Sequence, residues 1–144
     1  MKHIWSILCQ NSSVDSNTNL LSIFNCFEEL SLAIEKNKMP KDNNLVIPIG
    51  FQLINFWTIE NKDIKSVLDI KLEIFDPEEK LLDTFNKDFN VPSGVARFRG
   101  ILNINGIKVT KEGRYIIKVL QKEGDEKKFK TMAELPLDIK ITYK

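Results

Sequence analysis

Histidine is the side chain most often used for acid–base catalysis near neutral pH, and this chain of 144 residues has one, His3. His3 begins a short apolar run, and no serine–histidine or cysteine–histidine partner pattern surrounds it. The six glycines are scattered singly, so no glycine-rich loop is present to hold a phosphate group. The sequence therefore predicts a protein that is not an enzyme.

Metal and cofactor sites are not favoured by the remaining candidate ligands. Two cysteines, Cys9 and Cys26, together with one histidine are too few for a zinc site. The carboxylates lack Asp-x-Asp spacing and lie among lysines, which favours solvated turns over a calcium site. We predict no metal and no cofactor, and interpret both cysteines as small buried thiols. A disulfide between them is geometrically possible only if their strands are neighbours.

The three arginines are the residues best suited to bind an anion. Arg97 and Arg99 are two residues apart and share one face of a strand, and Arg114 lies on a strand expected to be close in space. Guanidinium groups suit carboxylate or phosphate recognition. An ordinary charged outer face of a sheet is the alternative interpretation.

Composition excludes several classes of partner. The 21 basic and 20 acidic residues give a net charge of +1, without the basic excess that is typical of nucleic-acid-binding domains or of proteins that dock on anionic membranes. No apolar stretch approaches the roughly 20 residues of a membrane span. The apolar run after Lys2 is too short for a secretory signal, so we expect a cytoplasmic protein.

The elements that must position these residues are β-strands. Apolar and polar residues alternate from Val67 to Phe75 and again from Leu135 to Tyr143, a period typical of strands with one buried face. A turn at Asp76-Pro77 follows the first of them. The length suits one domain, residues 1–144. We predict an all-β, antiparallel sandwich of about seven to nine strands.

Further strands and connections follow from the same patterns. We predict strands at 3–9, 20–27, 45–59, 81–85, 96–105 and 113–122. Connections are expected at 10–19, 36–44, 61–66 and 86–95. The dipeptide Asn105-Gly106, considered in isolation, is typical of a hairpin turn. The segment 27–36 fits a strand or a short helix, and the scarcity of strong helix formers favours the strand.

Some strands are apolar on both faces. Trp5, Ile54, Phe56 and Trp57 cannot all face one core if their segments are strands. Another segment of the same chain could cover the second face. The functional alternative is a surface for a protein partner or a second copy, where aromatic residues are enriched.

Two N-terminal segments and two later motifs resemble a known family. The segments are Ile7-Leu8-Cys9 and Asn19 to Asn25, preceded by Asp15, and the motifs are the Asp76-Pro77 turn and Gly113 to Val119. Over most of its length the chain resembles a family of small uncharacterised bacterial proteins, known as a domain of unknown function. The resemblance implies an immunoglobulin-like β-sandwich and supplies no catalytic residues. Lys80 departs from the family, because such turns often carry a glycine after Asp-Pro.

Three functional hypotheses follow. The first is a non-enzymatic protein-interaction or accessory module, possible as a homo-oligomer, with Trp5, Ile54, Phe56 and Trp57 as its surface. The second is a small-ligand or carbohydrate-binding module that uses Trp57 or Arg97 and Arg99. The third is a hydrolase or transferase, which would need a cleft that joins His3 to a serine or a carboxylate.

Overall fold

The structure, a computed structural model, describes residues 1–38, 45–61, 63 and 65–144. Within these residues it contains nine β-strands and one short 3₁₀ helix, Lys36–Lys38. The strands are β1 Lys2–Val14, β2 Leu21–Cys26, β3 Glu29–Ile34, β4 Leu45–Thr58, β5 Ser66–Phe75, β6 Leu81–Val91, β7 Arg97–Val109, β8 Gly113–Glu123 and β9 Lys130–Tyr143. Among the described residues, no helix is long and apolar enough to cross a membrane.

The strands form two sheets, which confirms the predicted all-β, sandwich-like architecture. The four-stranded sheet has the order β2-β1-β4-β7, and the five-stranded sheet has the order β3-β9-β8-β5-β6. The prediction of a wholly antiparallel fold is wrong for one pair, because β3 runs parallel to β9, with Leu30 opposite Ile139. Alternation along one strand sets which face is buried, but it does not set the direction of the neighbouring strand.

Side chains from both sheets fill one core. Leu68, Ile70, Leu72 and Ile74 of β5 are at most 1% exposed, as their alternation predicts. They belong to the same buried cluster as residues of β4 and β7 in the other sheet. Each buried side chain of this size contributes about 1.5–3 kcal/mol through apolar surface removed from water.

The turn between β7 and β8 is fixed by one buried tyrosine. The Tyr115 hydroxyl donates to the Lys111 carbonyl oxygen at 2.6 Å and accepts from the Thr110 and Lys111 amides, each at 3.1 Å. Gly113 lies two residues earlier with φ of 141°, and a Cβ there would lie 2.8 Å from Pro77 Cγ. The predicted turn at Asp76-Pro77 can therefore pack against the start of β8.

The Asp76-Pro77 turn uses its aspartate as a cap. Asp76 Oδ1 accepts from the Glu78 and Lys80 amides, each at 2.8 Å. Glu79 takes the left-handed conformation, with φ of 65°, that glycine adopts without steric cost. This turn joins β5 to β6 as predicted, although it carries a glutamate where glycine would fit best.

Several predicted boundaries are corrected. Segments 10–14 and 86–91 were expected to be loops but continue β1 and β6. Asn105-Gly106 is not a hairpin turn, because β7 passes through it beside an irregularity in the register with β4. The segment 27–36 contains strand β3, as favoured. The predicted connections 36–44 and 61–66 lie partly outside the described residues, at 39–44, 62 and 64.

Candidate functional site: the hairpin cleft

The second half of β1 leaves the main sheet and forms a hairpin with β2. β1 pairs with β4 from Lys2 to Cys9, whereas its pairing with β2 extends from Cys9 to Val14. Asp15 closes the hairpin because its Oδ1 accepts from the Asn17 and Thr18 amides, each at 2.8 Å. These backbone hydrogen bonds, from Thr18 and then Asn17, lower the pKa of Asp15. Two-stranded pairing explains how a polar segment remains a strand.

The hairpin folds over the outer face of the four-stranded sheet. Ser12 Oγ donates to Gln52 Oε1 at 2.6 Å, and Arg99 Nη2 on β7 donates to the Asn19 carbonyl oxygen at 2.6 Å. Between the hairpin and the sheet lies a cavity of about 470 Å³, which we call the hairpin cleft. It is lined by Val14, Thr18, Asn19, Leu20, Phe56, Arg97, Phe98, Arg99 and Ile101.

The four predicted surface residues divide between two faces of the four-stranded sheet. Trp57 points into the core, has no exposed surface, and donates from Nε1 to Gln121 Oε1 at 2.6 Å. Ile54 lies on the outer face but is also fully buried, between Ile7 and Ile101 in the strand register. The hairpin of the same chain thus covers part of the second apolar face.

Trp5 and Phe56 retain exposed area on that outer face. Their rings stack with centroids 5.5 Å apart and an interplanar angle of 25°. Phe56 also lines the hairpin cleft. The prediction of a partner surface therefore depends on these two aromatic residues, because Ile54 and Trp57 present no side-chain surface to a partner.

The three arginines do not form one cluster. Arg97 and Arg99 project from the outer face of β7 into the hairpin cleft. Arg114 projects from the outer face of the five-stranded sheet, on the other side of the molecule. There its Nε and Nη2 donate to the two carboxylate oxygens of Asp138 at 2.8 and 3.0 Å. This pairing raises the pKa of Arg114 and lowers that of Asp138.

Arg97 differs from Arg114 in having no partner within the part of the chain that the structure describes. Among the described residues, no ion pair or hydrogen bond engages the Arg97 side chain, which is exposed. Arg99 donates to a neutral carbonyl oxygen and keeps its charge uncompensated. The cleft thus holds two guanidinium groups that no carboxylate of the described chain neutralises.

Charge is divided between the two sheets, a feature that reading the sequence as a whole did not find. Strands β1, β2, β4 and β7 contain four Lys or Arg residues and no Asp or Glu. The strands of the five-stranded sheet contain seven basic and eight acidic residues. The signal was present in the sequence, but it becomes visible only when each strand is assigned to its sheet.

A second polar site joins His3 to a serine. His3 Nε2 lies 2.7 Å from Ser6 Oγ, and Ser6 Oγ donates to Asn55 Oδ1 at 2.5 Å. Because a hydroxyl has one proton and Asn55 receives it, His3 must donate in the first bond. A histidine that activates a serine has to accept that proton instead. Burial also lowers the pKa of His3. The contact is a structural hydrogen-bond chain in this arrangement.

Metal ligands do not converge in the described part of the chain. Across those residues, no group of three or more His, Cys, Asp or Glu side chains is placed to hold an ion. Cys9 and Cys26 are free thiols that face each other across β1 and β2. The prediction of two buried thiols is right for Cys9 and wrong for Cys26, which is exposed on the edge strand β2. The hairpin cleft therefore remains the site with the most distinctive chemistry.

Comparisons with known proteins add no family assignment. The chain matches no protein-family model. No curated protein matches it either. The resemblance to a family of small bacterial proteins stays a prediction.

Proposed function

We propose that the protein is a non-enzymatic binding module that holds an acidic segment of a partner protein in the hairpin cleft. The observation that carries this proposal is the uncompensated charge of Arg97 and Arg99 on a sheet whose strands contain no acidic residue. Carboxylates of a partner would supply the missing counter-charges. Guanidinium groups bind them through paired hydrogen bonds of fixed geometry.

Apolar surface beside the arginines supports a protein partner. Leu20 is 68% exposed, Phe24 49% and Val14 46%, and all three belong to the β1–β2 hairpin. The stacked rings of Trp5 and Phe56 lie on the same outer face. Arginine and aromatic side chains are enriched where protein partners bind most strongly. The partner segment would therefore combine acidic residues with one or two apolar anchors.

A small anionic ligand is the second candidate. The cleft volume of about 470 Å³ lies within the range of roughly 300–1,000 Å³ that is common for small-molecule sites. Two arginines beside an aromatic ring favour a ligand with a carboxylate or a phosphate over a neutral carbohydrate. In this alternative the exposed hairpin residues would have no direct role.

We also infer an immunoglobulin-like topology and a cytoplasmic location for this module. Support for the topology comes from β4 beside β7 in one sheet and β9-β8-β5 in the other, which corresponds to the central strands of that fold. The Tyr115 hydroxyl bonds back to the preceding turn as a tyrosine corner does. Two free cysteines agree with a reducing compartment.

The proposal is tested with a peptide library and three proteins. Peptides selected by the wild-type protein are measured by fluorescence anisotropy against Arg97→Gln/Arg99→Gln and against Arg114→Gln. Hydrogen bonds to charged groups contribute about 1.5–3 kcal/mol each. One such bond lost at each arginine amounts to about 3–6 kcal/mol. We therefore expect the cleft variant to lose roughly 100-fold or more in affinity, since each 1.4 kcal/mol is tenfold. The Arg114 variant removes one guanidinium charge from the other sheet and should bind as the wild type does.

Four results would contradict the proposal. Selected peptides without Asp or Glu would remove its chemical basis, and equal losses in both variants would remove its location. Full competition by free citrate or phosphate, with no gain from apolar residues in the peptide, would favour the small-ligand alternative. Light scattering during the same titrations detects a homo-oligomer, which would replace the peptide as the occupant if the cleft variant is a monomer and the wild type is not.

A further inference from the structure

The two cysteines lie directly opposite each other at the base of the hairpin. Cys9 on β1 is the register partner of Cys26 on β2. The neighbouring pair is hydrogen-bonded, since the Phe27 amide donates to the Leu8 carbonyl oxygen at 3.2 Å. Hydrogen-bonded and non-hydrogen-bonded pairs alternate along an antiparallel ladder, so Cys9 and Cys26 form a non-hydrogen-bonded pair.

A regular pair of this kind has the spacing that a disulfide requires. Cα atoms in non-hydrogen-bonded pairs are about 4.5 Å apart, and disulfides span Cα separations of roughly 4.4–6.8 Å. Directly opposite side chains also point to the same face of the sheet. Burial raises the pKa of Cys9, and the charge of Cys26 raises it further, as expected for neighbouring thiols.

The two thiols differ in access to solvent. Cys9 has no exposed surface and its Sγ donates to Gln52 Oε1 at 4.0 Å, whereas Cys26 is exposed. Cys26 also lines a small cavity of about 190 Å³ beside Glu28 and Pro136. A reagent from solution can therefore reach Cys26 but not Cys9. Paired redox thiols commonly divide their roles in this way, with one accessible and one resolving cysteine.

We propose that Cys9 and Cys26 form a reversible dithiol–disulfide site that reacts with low-molecular-weight disulfides of the glutathione type. The Cys26 thiolate attacks one sulfur of the reagent, which forms a mixed disulfide and releases one thiolate. Cys9 then attacks Cys26 Sγ, its proton passes to the second leaving thiolate, and the Cys9–Cys26 bond forms. Two protein thiols are oxidised and one reagent disulfide is reduced to two thiols.

The site would act on the hairpin rather than on the core. A bond between Cys9 and Cys26 closes residues 10–25 into a covalent loop, and this loop contains most of the hairpin that covers the outer face. Such a closure restricts the opening of the hairpin. The proposal does not depend on the identity of any ligand in the hairpin cleft.

The test is mass spectrometry of the intact chain after incubation with oxidised glutathione. The wild type should lose two hydrogens and retain no free thiol. Cys9→Ala should instead keep one glutathione on Cys26, whereas Cys26→Ser should remain unmodified because Cys9 is buried. Dithiothreitol should restore both thiols. Cys26→Ser substitutes an exposed residue, so it stays informative if Cys9→Ala fails to fold.

A second probe does not require oxidation. Phenylarsine oxide binds two thiols that can reach one arsenic atom, and we expect one arsenical per wild-type chain and none that survives dialysis in either single variant. The proposal is overturned if the wild type keeps two alkylatable thiols after oxidation, if it forms only disulfide-linked dimers, or if Cys26→Ser takes up glutathione as fast as Cys9→Ala does.

Discussion

The outer faces of the two sheets differ in whether their basic side chains have carboxylate partners. On the five-stranded sheet, basic residues are paired with carboxylates, as in Arg114–Asp138, Lys118–Glu134 and Lys122–Asp69. On the four-stranded sheet, Arg97 and Arg99 lie beside aromatic rings and find no carboxylate within the described chain. The basic residues named on the five-stranded sheet thus have counter-charges within the chain. Arg97 and Arg99 instead present charges that a partner can neutralise.

The net charge of the whole chain is therefore a poor guide to the charge of either sheet. The value of +1 for the whole chain hides a difference between the sheets. The five-stranded sheet has similar numbers of basic and acidic residues, whereas the charged residues in the strands of the four-stranded sheet are all basic. Exposed ion pairs contribute little to stability, so the pairs on the five-stranded sheet are not required to hold the fold. Their effect is to give Arg114, Lys118 and Lys122 counter-charges within the chain.

The largest expected effect is a difference in stability between substitutions on the two faces of the four-stranded sheet. We expect Trp57→Ala to lower the free energy of unfolding by about 3–5 kcal/mol, because it opens a cavity in the core and leaves Gln121 without its partner. Phe56→Ala, one residue away on the outer face, should cost about 1 kcal/mol because less apolar surface is lost from water. Urea denaturation measures both. Equal losses would mean that the outer face is a second core rather than a binding surface.

A glycine substitution in one of two turns should raise the stability of the protein. Glu79 between β5 and β6 and Asn19 in the β1–β2 hairpin both have positive φ, 65° and 59°. Left-handed backbone is costly for glutamate but readily adopted by asparagine. Glu79→Gly should therefore raise the free energy of unfolding by about 1 kcal/mol, whereas Asn19→Gly should change it little. Thermal melts compare the variants, and an unchanged or lower melting temperature for Glu79→Gly would contradict the prediction.

The smallest expected effect is a pH dependence of stability that comes from His3, near the start of β1. Burial lowers the pKa of His3 below 6.5, so the unfolded chain binds the proton more readily than the folded one. The stability contributed by neutral His3 is present above pH 6.5 and is lost as the pH falls through its folded pKa. Since His3 is the single histidine, denaturation at about pH 7.5 and about pH 5.5 should show a fall that His3→Gln reduces. An identical fall in His3→Gln would assign it to carboxylates instead.

Local patterns predicted the elements well where one face is buried. The alternation from Leu68 to Ile74 gave strand β5 and its inward residues correctly. The same reasoning failed for 10–14, which is polar and largely exposed, because that strand depends on its partner β2 and not on burial. Asn105-Gly106 was misleading since a glycine with positive φ also fits an irregularity within a strand.

The candidate site was predicted only in its parts. The sequence singled out Phe56, Arg97 and Arg99, and the fold brings them into one cleft. It placed Arg114 with them because strand order cannot be derived from alternation, and β8 belongs to the other sheet. Phe56 and Trp57 are adjacent on one strand, so their side chains must point to opposite faces of the sheet. Which of the two faces is the core depends on where the other sheet packs.

The central claim is that an acidic partner binds the outer face of the four-stranded sheet. Titration of an isotope-labelled sample with a selected Asp- or Glu-containing peptide, followed by backbone amide NMR shifts, tests it most directly. We predict shifts at Phe56, Arg97, Arg99 and the hairpin, which weaken as salt is added, and none around Arg114. Shifts centred on β8 and β9, or none with the peptide in excess, would contradict the claim.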